Sequence, residues 1–232
     1  MPTPPTGSGL DDTPSGDVDG GRPPDGQPDG HPDGQAPDGQ ASDVTVVVPV
    51  KAFHRAKLRL APALDPAARA ELARSMAEVV VRAAAPLPVR VVCDDETVRA
   101  WADDQGAEVA WTPGLGLDGA VGTTVAALSY EGCRRALVVH ADLPYARDLA
   151  AVAAAVAPDA IGLVPDRHDD GTNVVLVPTG LGFGFAYGPG SFQRHRAAAA
   201  STGREVVVLR ARHLGWDVDL PADLETPTWA SP

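Results

Sequence analysis

The run Val44-Thr45-Val46-Val47-Val48-Pro49 decides the fold class of this chain. Its residues are almost all β-branched, and polar and apolar positions do not alternate along it. That pattern is typical of a strand buried on both faces, as in a parallel sheet covered by helices. A helix pattern follows, beginning at Asp65-Pro66 and ending before Pro86. The first unit is therefore predicted to be a strand followed by a helix.

Strand and helix patterns continue to alternate along the chain. Strands are predicted over 89–93, 108–111, 136–140 and 161–164, and helices over 97–104, 118–129 and 146–157. This alternation predicts an α/β domain with a mixed, mostly parallel sheet and helices on both faces. After residue 164 the rhythm changes: strands at 174–177, 183–187, 206–209 and Val218, with a helix from Ser191, indicate an inserted or antiparallel section. Ligands bind such sheets at the carboxyl ends of the strands.

Residues 1–43 have a composition that does not build a core. They hold nine Pro, nine Gly and nine Asp with Arg22 as the single Lys or Arg, so they carry −8 of the formal net charge of −12. Four Pro-Asp-Gly units recur within them. We interpret this segment as a disordered acidic arm, with a docking array as the alternative, followed by one domain over 44–232.

The composition also excludes classes of function. No apolar run approaches the ~18 residues of a membrane span, and Met1-Pro2-Thr3-Pro4 is not a signal-peptide start. We expect a soluble, cytoplasmic protein with no membrane partner. The domain is acidic and has no basic stripe, which argues against a nucleic-acid partner. Cys93 and Cys133 are predicted to be buried thiols of a reducing compartment.

The loop after the first strand concentrates positive charge. Lys51 and Lys57 are the only lysines of the chain, and Arg59 follows them. Two ammonium groups and a planar guanidinium suit the oxygens of a polyphosphate. A solvated basic loop is the alternative, and charge alone does not separate the two. The chain has neither the dinucleotide-binding nor the P-loop glycine pattern.

Three carboxylates follow later strands. Asp142 comes after the strand at 136–140, and Asp217 and Asp219 are spaced i and i+2, on one face if the segment is extended. Like charges so placed repel, and a hard cation relieves the repulsion. The hypothesis is a three-carboxylate Mg²⁺ cluster; a turn or N-cap aspartate is the alternative for Asp142.

The segment Gly188-Pro189-Gly190-Ser191 leads into a helix pattern. The N–H groups of a helix start and the Ser191 hydroxyl could hold an anion. A plain Ser N-cap is the alternative. The histidines, among them His140 and His195, are interpreted as packed or surface residues, because no spacing indicates a zinc site.

Taken together, these motifs resemble the guanylyltransferases of deazaflavin coenzyme F420 biosynthesis, which act on 2-phospho-L-lactate or phosphoenolpyruvate. The resemblance runs from about Val44 to Leu224. It rests on a combination of blocks: Val48-Pro49-Val50-Lys51, Ala56-Lys57-Leu58-Arg59-Leu60, Asp142-Leu143-Pro144, Pro165-Asp166-Arg167, Gly171-Thr172-Asn173, residues 185–195 and Asp217-Val218-Asp219.

The resemblance implies a single-domain nucleotide-diphosphosugar-transferase-like (Rossmann-like) fold and Mg²⁺-dependent transfer of GMP from GTP to the three-carbon phosphate. It assigns roles to matching residues: metal binding to Asp142, Asp217 and Asp219, and acceptor-phosphate binding to Thr172, Gly188 and Ser191. The general fold places Lys51, Lys57 and Arg59 along the triphosphate of GTP, with Lys51 or Arg59 stabilising the pyrophosphate leaving group.

The chain departs from the family pattern at Asp118, where similar sequences read Gly-Leu-Asn-x-Ala and this one reads Gly116-Leu117-Asp118-Gly119-Ala120. The change adds charge near the predicted GTP site. Two alternatives stay open: another nucleotidyltransferase of this fold, of the molybdopterin or sugar-phosphate type, and a non-catalytic nucleotide-binding protein. The next enzyme of the pathway is a candidate partner, and a homodimer is one compatible oligomeric state.

Overall fold

The computed structural model describes residues 43–230, which belong to one compact unit. Apart from Asp43, the predicted acidic arm lies outside the described residues. The strands are β1 (Val44–Pro49), β2 (Val89–Cys93), β3 (Glu108–Trp111), β4 (Arg135–Val139), β5 (Ile161–Pro165), β6 (Thr172–Pro178) and β7 (Val206–Val208). The helices are α1 (Pro66–Ala83), α2 (Glu96–Asp104), α3 (Gly116–Tyr130), α4 (Leu149–Ala154), α5 (Ser191–Ser201) and α6 (Arg212–Gly215).

The strands form one seven-stranded sheet in the order β3-β2-β1-β4-β6-β5-β7. Strand β6 runs antiparallel to both of its neighbours, β4 and β5, whereas the other pairs are parallel. The predicted mixed, mostly parallel α/β sheet is confirmed, and the antiparallel section corresponds to β6.

The first strand shows why the sheet is covered on both faces. Val46 and Val48 pack in one apolar cluster, which also contains residues of α1, α2 and α4. Val47, between them, packs in a second cluster with residues of α3 and α5. Both faces of β1 are buried, as the run of β-branched residues predicts.

Helix α1 begins as its sequence predicts. Pro66 occupies the first turn, and the Asp65 carboxylate accepts a hydrogen bond from the Ala68 N–H at 2.8 Å. This bond satisfies a backbone donor that has no partner within the helix. The cap fixes where the chain leaves the long loop between β1 and α1.

Three predicted elements differ in the structure. Residues 183–187 and Val218 are not in strands, and α4 is shorter than the predicted 146–157. The N–H groups of Ala186 and Tyr187 bond to side chains instead of to a neighbouring strand. Apolar alternation in 183–187 therefore reflects packing of a loop, and Val218 makes a single backbone bond, to the Asp142 carbonyl at 3.2 Å.

The reversal of β6 shapes the carboxyl edge of the sheet. Val139 at the end of β4 is paired with Val174 near the start of β6. Thr172, the first residue of β6, therefore lies at the edge where β4 ends. Within residues 43–230, none of the helices has the length and apolar character needed to cross a membrane.

Candidate active site

A cavity of about 480 Å³ opens where β1, β2 and β4 end. Its walls include Lys51, Lys57 and Arg59 from the loop after β1, Asp94 after β2, and His140 and Asp142 after β4. The structure therefore brings the predicted basic loop and the first predicted metal-binding carboxylate to one cavity. This is the edge at which α/β sheets bind ligands.

The two lysines differ in their surroundings. Lys57 Nζ lies 2.7 Å from Asp142 Oδ2, and its side chain is 11% exposed. Its backbone adopts a φ of 55°, in the left-handed region that residues with side chains rarely adopt. Lys51 is exposed at the cavity wall and has no ion pair among residues 43–230. Lys57 is thus held in place by its ion pair with Asp142, whereas the exposed Lys51 side chain is available to bind an anion.

Asp142 keeps one carboxylate oxygen without a partner. Oδ2 receives the hydrogen bond from Lys57, but Oδ1 is buried and has no hydrogen-bond partner in the described part of the chain. Burial acts to raise the pKa of Asp142, yet the Lys57 and His140 charges hold that pKa below its ordinary value. Buried oxygens without a partner are rare in proteins, so Oδ1 marks a place for a ligand.

Asp217 and Asp219 lie in the segment after α6. Burial, reinforced by the charge of Asp142, raises the pKa of Asp217. Asp219 Oδ2 instead accepts a hydrogen bond from Arg59 Nη1 at 2.7 Å. The hydrogen bond from the Val218 N–H to the Asp142 carbonyl at 3.2 Å brings this segment against Asp142, while Arg59 holds Asp219.

The predicted three-carboxylate cluster is not assembled in the structure. Among residues 43–230, no three His, Cys, Asp or Glu side chains are grouped so that they could hold a metal ion. Two of the three carboxylates are instead paired with cations, Asp142 with Lys57 and Asp219 with Arg59. Asp142 and Asp217 remain as a candidate pair of metal ligands. Asp142 Oδ1 has no partner in the described residues, and the charge of Asp142 helps to raise the pKa of Asp217.

Asp223 and Arg167 organise this segment, and sequence reasoning assigned neither a role. Asp223 Oδ2 accepts the N–H groups of Asp219, at 2.8 Å, and of Leu220, at 2.6 Å, while Oδ1 pairs with Arg167. Arg167 also donates to the Asp217 carbonyl at 3.0 Å. Asp223 lies four residues beyond Asp219, a spacing typical of a turn-capping carboxylate.

The predicted acceptor-binding residues Thr172 and Ser191 are buried. Ser191 Oγ lies 3.4 Å from Thr172 Oγ1, which lies 3.0 Å from His195 Nδ1. The opposite ring atom, His195 Nε2, accepts the Ala186 N–H at 2.9 Å. Because Nε2 accepts, Nδ1 carries the proton and donates to Thr172. The Thr172 hydroxyl hydrogen is then left to donate elsewhere.

Helix α5 does not begin with a Ser N-cap. Gly190 is the N-cap, with a φ of 72°, and Ser191 is the first helical residue. The alternative of a plain Ser191 cap is therefore wrong, and its hydroxyl bonds to Thr172 instead. Gly188 has a φ of 100°, which favours glycine.

Tyr187 connects the two halves of the site. Its ring centroid lies 4.9 Å from that of His140 and 4.9 Å from that of His195. The Tyr187 hydroxyl and His140 Nε2 are both buried without a hydrogen-bond partner in residues 43–230. Asp142 Oδ1 is a third buried polar atom of the site without a partner in those residues.

Asp118, the predicted GTP-binding residue at which the chain departs from the family pattern, stands next to a residue of the cavity wall in the sequence. Its neighbours Leu117 and Ala120 line the cavity, but Asp118 does not. Instead, Asp118 Oδ1 accepts the Tyr187 N–H at 2.8 Å. The residue that departs from the family pattern therefore contacts the loop that carries Gly188.

His195 makes the stability of this site dependent on pH. Burial lowers the pKa of His195 to about 4, with His140 and Arg194 acting in the same direction and Asp118 opposing. Unfolding restores an ordinary pKa of about 6.5, so the unfolded chain takes up a proton first as the pH falls. The contribution of His195 to the free energy of unfolding is therefore fully present above about pH 6.5. The free energy of unfolding falls by up to about 3 kcal/mol as the pH is lowered from 6.5 to 4.

Urea unfolding of the wild type and His195→Gln at pH 7.5 and 4.5 measures this contribution. We expect the wild type to be the more stable at pH 7.5 and the difference in unfolding free energy to narrow at pH 4.5. A difference that is equal at both pH values would contradict the assignment.

Comparison with solved structures identifies the class of fold. A structure from Desulfovibrio desulfuricans G20, described as a nucleotide-diphospho-sugar transferase, superimposes with a TM-score of 0.65 at 19% identity, covering 79% of this chain and 85% of that one. CMP:2-keto-3-deoxy-manno-octonic acid synthetase complexed with CTP gives a TM-score of 0.53 at 13% identity, covering 79% and 95%. The fold is therefore of the nucleotide-diphospho-sugar-transferase type, as predicted.

Sequence relatives identify the family. Residues 44–226 match the family described as guanylyl transferase CofC like, and the chain belongs to that family. The phosphoenolpyruvate guanylyltransferase of Sphaerobacter thermophilus is 37% identical over 185 residues, covering 77% of this chain and 89% of that protein. That of Streptomyces coelicolor is 38% identical over 192 residues, covering 78% and 88%. The chain is thus an enzyme of the guanylyltransferase class.

Proposed function

We propose that this enzyme transfers GMP from GTP to phosphoenolpyruvate, or to 2-phospho-L-lactate, and releases pyrophosphate. The observation that supports it most is one cavity lined by Lys51, Lys57 and Asp142, in which Lys57 pairs with Asp142 and the buried Asp142 Oδ1 has no partner in the described residues. Lysine side chains can neutralise the charge of two phosphates, and a pair of carboxylates can hold a metal ion between them, so this combination suits a reaction between two phosphates. The names of the relatives favour phosphoenolpyruvate as the acceptor.

The proposed reaction needs no general base. At neutral pH the acceptor phosphate already carries an anionic oxygen, which forms a bond to the α-phosphorus of GTP. The bond between that phosphorus and the bridging oxygen breaks, and its electron pair leaves with pyrophosphate. The enzyme must therefore overcome the repulsion between two anions and align them.

The basic loop supplies the charge that this alignment needs. Lys57 is held by Asp142 at the cavity wall, where its ammonium group can contact a phosphate without losing its fixed position. Lys51 and Arg59 are exposed and can follow the pyrophosphate as negative charge develops on it. The loop therefore binds the triphosphate and stabilises the leaving group.

The donor set at the carboxylates fits Mg²⁺. Asp142 has an unpartnered oxygen, and Asp217 has a pKa raised by burial and by Asp142, so a hard cation would relieve both features. Asp142 and Asp217 would hold the ion, with Asp219 joining them if Arg59 turns to the phosphates. Mg²⁺ would neutralise phosphate charge and orient the two substrates.

The acceptor is proposed to bind at Thr172, Gly188 and Ser191. His195 already donates to Thr172, so the Thr172 hydroxyl hydrogen can point to a phosphate oxygen. The Tyr187 hydroxyl and His140 Nε2 are further buried polar atoms without a partner in the described residues. This arrangement would place the acceptor phosphate between the Thr172 end and the carboxylates.

Several wider assignments stay predictions. These are a role in coenzyme F420 biosynthesis, delivery of the product to the next enzyme of that pathway, a cytoplasmic location, a homodimer and the absence of nucleic-acid partners. They rest on the family resemblance and on the composition of the chain.

A substrate matrix tests the proposed function. Incubating the enzyme and Mg²⁺ with GTP, CTP or ATP and with phosphoenolpyruvate or 2-phospho-L-lactate, we expect pyrophosphate and an acid–GMP adduct by mass spectrometry with GTP only. Reaction of CTP with a sugar phosphate in preference to these acids would support the sugar-phosphate type of enzyme and overturn the proposal. Absence of any adduct would overturn it as well.

A further inference from the structure

The loop over 186–190, which we call the acceptor loop, leaves one backbone donor unused. Gly188 N–H has no hydrogen-bond partner among residues 43–230. The other N–H donors of the loop and of the residue after it are satisfied: Ala186 by His195 Nε2, Tyr187 by Asp118 Oδ1, Gly190 by Asp170 Oδ1 and Ser191 by the Gly188 carbonyl. Pro189 has no N–H. Gly188 is exposed, so its N–H remains available to water or to a ligand.

Arg194 binds the carbonyl side of the same loop. Its guanidinium donates to the Ala186 carbonyl from Nε at 3.2 Å and from Nη2 at 3.0 Å, to the Tyr187 carbonyl at 3.1 Å, and to the Pro189 carbonyl from Nη1 at 2.6 Å. A longer contact joins Nη2 to the Gly188 carbonyl at 3.4 Å. One side chain thus gathers the carbonyls of four successive residues.

This arrangement determines where the Gly188 N–H points. In a trans peptide the C=O and the following N–H lie in one plane and point in opposite directions. The Tyr187 carbonyl points to Arg194, so the Gly188 N–H in the same peptide unit points away from that guanidinium. The Gly188 N–H is therefore accessible to an anion that approaches from the side opposite to the Arg194 guanidinium.

Asp118 holds the preceding peptide unit from its opposite end. The Ala186 carbonyl accepts from Arg194, and the Tyr187 N–H of that unit donates to Asp118. The negative end of the peptide dipole therefore faces a guanidinium, and the positive end faces a carboxylate. Both hydrogen bonds are charge-assisted and about twice as strong as neutral ones. The peptide unit cannot flip without losing both.

We propose that Arg194 and Asp118 are positioning residues that fix the Gly188 N–H as a donor to the anionic acceptor. The inference rests on the proposed function for the identity of the acceptor. Neither residue needs to touch the acceptor, because Arg194 is occupied by carbonyls and Asp118 by an N–H. This role is compatible with the Asn of similar sequences, because an amide oxygen can accept the same hydrogen bond. The Asp118 carboxylate adds a negative charge at the end of the peptide unit opposite to Arg194.

The first test compares Arg194→Met with Arg194→Lys and with the control Arg196→Met. Arg196 lies on the same helix and is exposed, and its Nη1 donates to Gln193. We expect Arg194→Met to raise the KM for phosphoenolpyruvate at least tenfold with the KM for GTP changed less than twofold. Arg194→Lys is expected to lie between, and Arg196→Met to match the wild type. A folded Arg194→Met enzyme whose KM for phosphoenolpyruvate equals that of Arg196→Met would overturn the inference.

The second test covers the case in which Arg194→Met does not fold. Asp118→Asn keeps an oxygen that accepts the Tyr187 N–H, whereas Asp118→Ala does not. We expect Asp118→Ala to raise the KM for phosphoenolpyruvate, and we expect the KM of Asp118→Asn to stay close to that of the wild type. Equal KM values for both variants and the wild type would count against the positioning role.

An amide readout separates this inference from the proposed function. In the ¹⁵N–¹H spectrum of the wild type, we expect the Gly188 amide to shift when phosphoenolpyruvate is added without GTP. If the wild type turns over no substrate, the proposed function fails. If the wild type turns over substrate but the Gly188 amide does not shift, or the KM of Arg194→Met equals that of Arg196→Met, the inference alone fails.

Discussion

Replacing Asp142 by Asn is expected to lower kcat for GMP transfer by about 10³-fold, because the open Oδ1 loses its charge where two phosphates and a cation must meet. The KM for GTP is expected to change far less, since the basic loop keeps its charges. Steady-state kinetics of pyrophosphate release measures both quantities.

The control for this substitution is Asp159→Asn, because Asp159 is exposed and does not line the cavity. It is expected to leave kcat within twofold of the wild type. Retention of more than a tenth of wild-type kcat by a folded Asp142→Asn enzyme would contradict the role given to Asp142.

Lys57→Met is the second substitution with a large expected effect. It removes the ammonium group from the cavity and leaves Asp142 mostly buried without its countercharge. We expect kcat/KM for GTP to fall about 10²-fold and the unfolding free energy to fall by about 3 kcal/mol. Pyrophosphate release and urea unfolding at pH 7.5 measure the two losses.

A double-mutant cycle distinguishes the two consequences of this ion pair. In Lys57→Met/Asp142→Asn no buried charge is left unpaired, so stability is expected to return to within about 1 kcal/mol of the wild type. Activity is not expected to return, since both groups that face the phosphates are missing. Additive stability losses in the double variant would show that the pair is not coupled in the folded enzyme.

The sheet was predictable because its signals are local. The β-branched run of β1 and the cap and proline of α1 each lie within a few consecutive residues, and the unbroken apolar run of β1 directly indicates burial of both faces of the strand. The loop over 183–187 was mistaken for a strand, since its aromatic residues also alternate. Which groups satisfy its N–H donors depends on Asp118 and His195, and periodicity carries no information about them.

The candidate site was predictable only in part. Lys51, Lys57 and Asp142 follow strand patterns, so their meeting at the carboxyl edge follows from the topology of a parallel sheet. The pairing of Asp118 with Tyr187 joins residues 69 positions apart, and that of Arg167 with Asp223 joins residues 56 apart. Such contacts depend on how loops pack on the finished sheet, which explains why the neutralisation of the carboxylates by Lys57 and Arg59 was not foreseen.

The most direct test of guanylyl transfer follows an oxygen atom. With phosphoenolpyruvate carrying ¹⁸O in the non-bridging phosphate positions and unlabelled GTP, attack by the acceptor phosphate predicts an adduct whose guanylyl phosphorus shows a ³¹P isotope shift from one ¹⁸O bridge, together with unlabelled pyrophosphate. An adduct without that shift, ¹⁸O in the pyrophosphate, or no adduct at all would contradict attack by the acceptor phosphate.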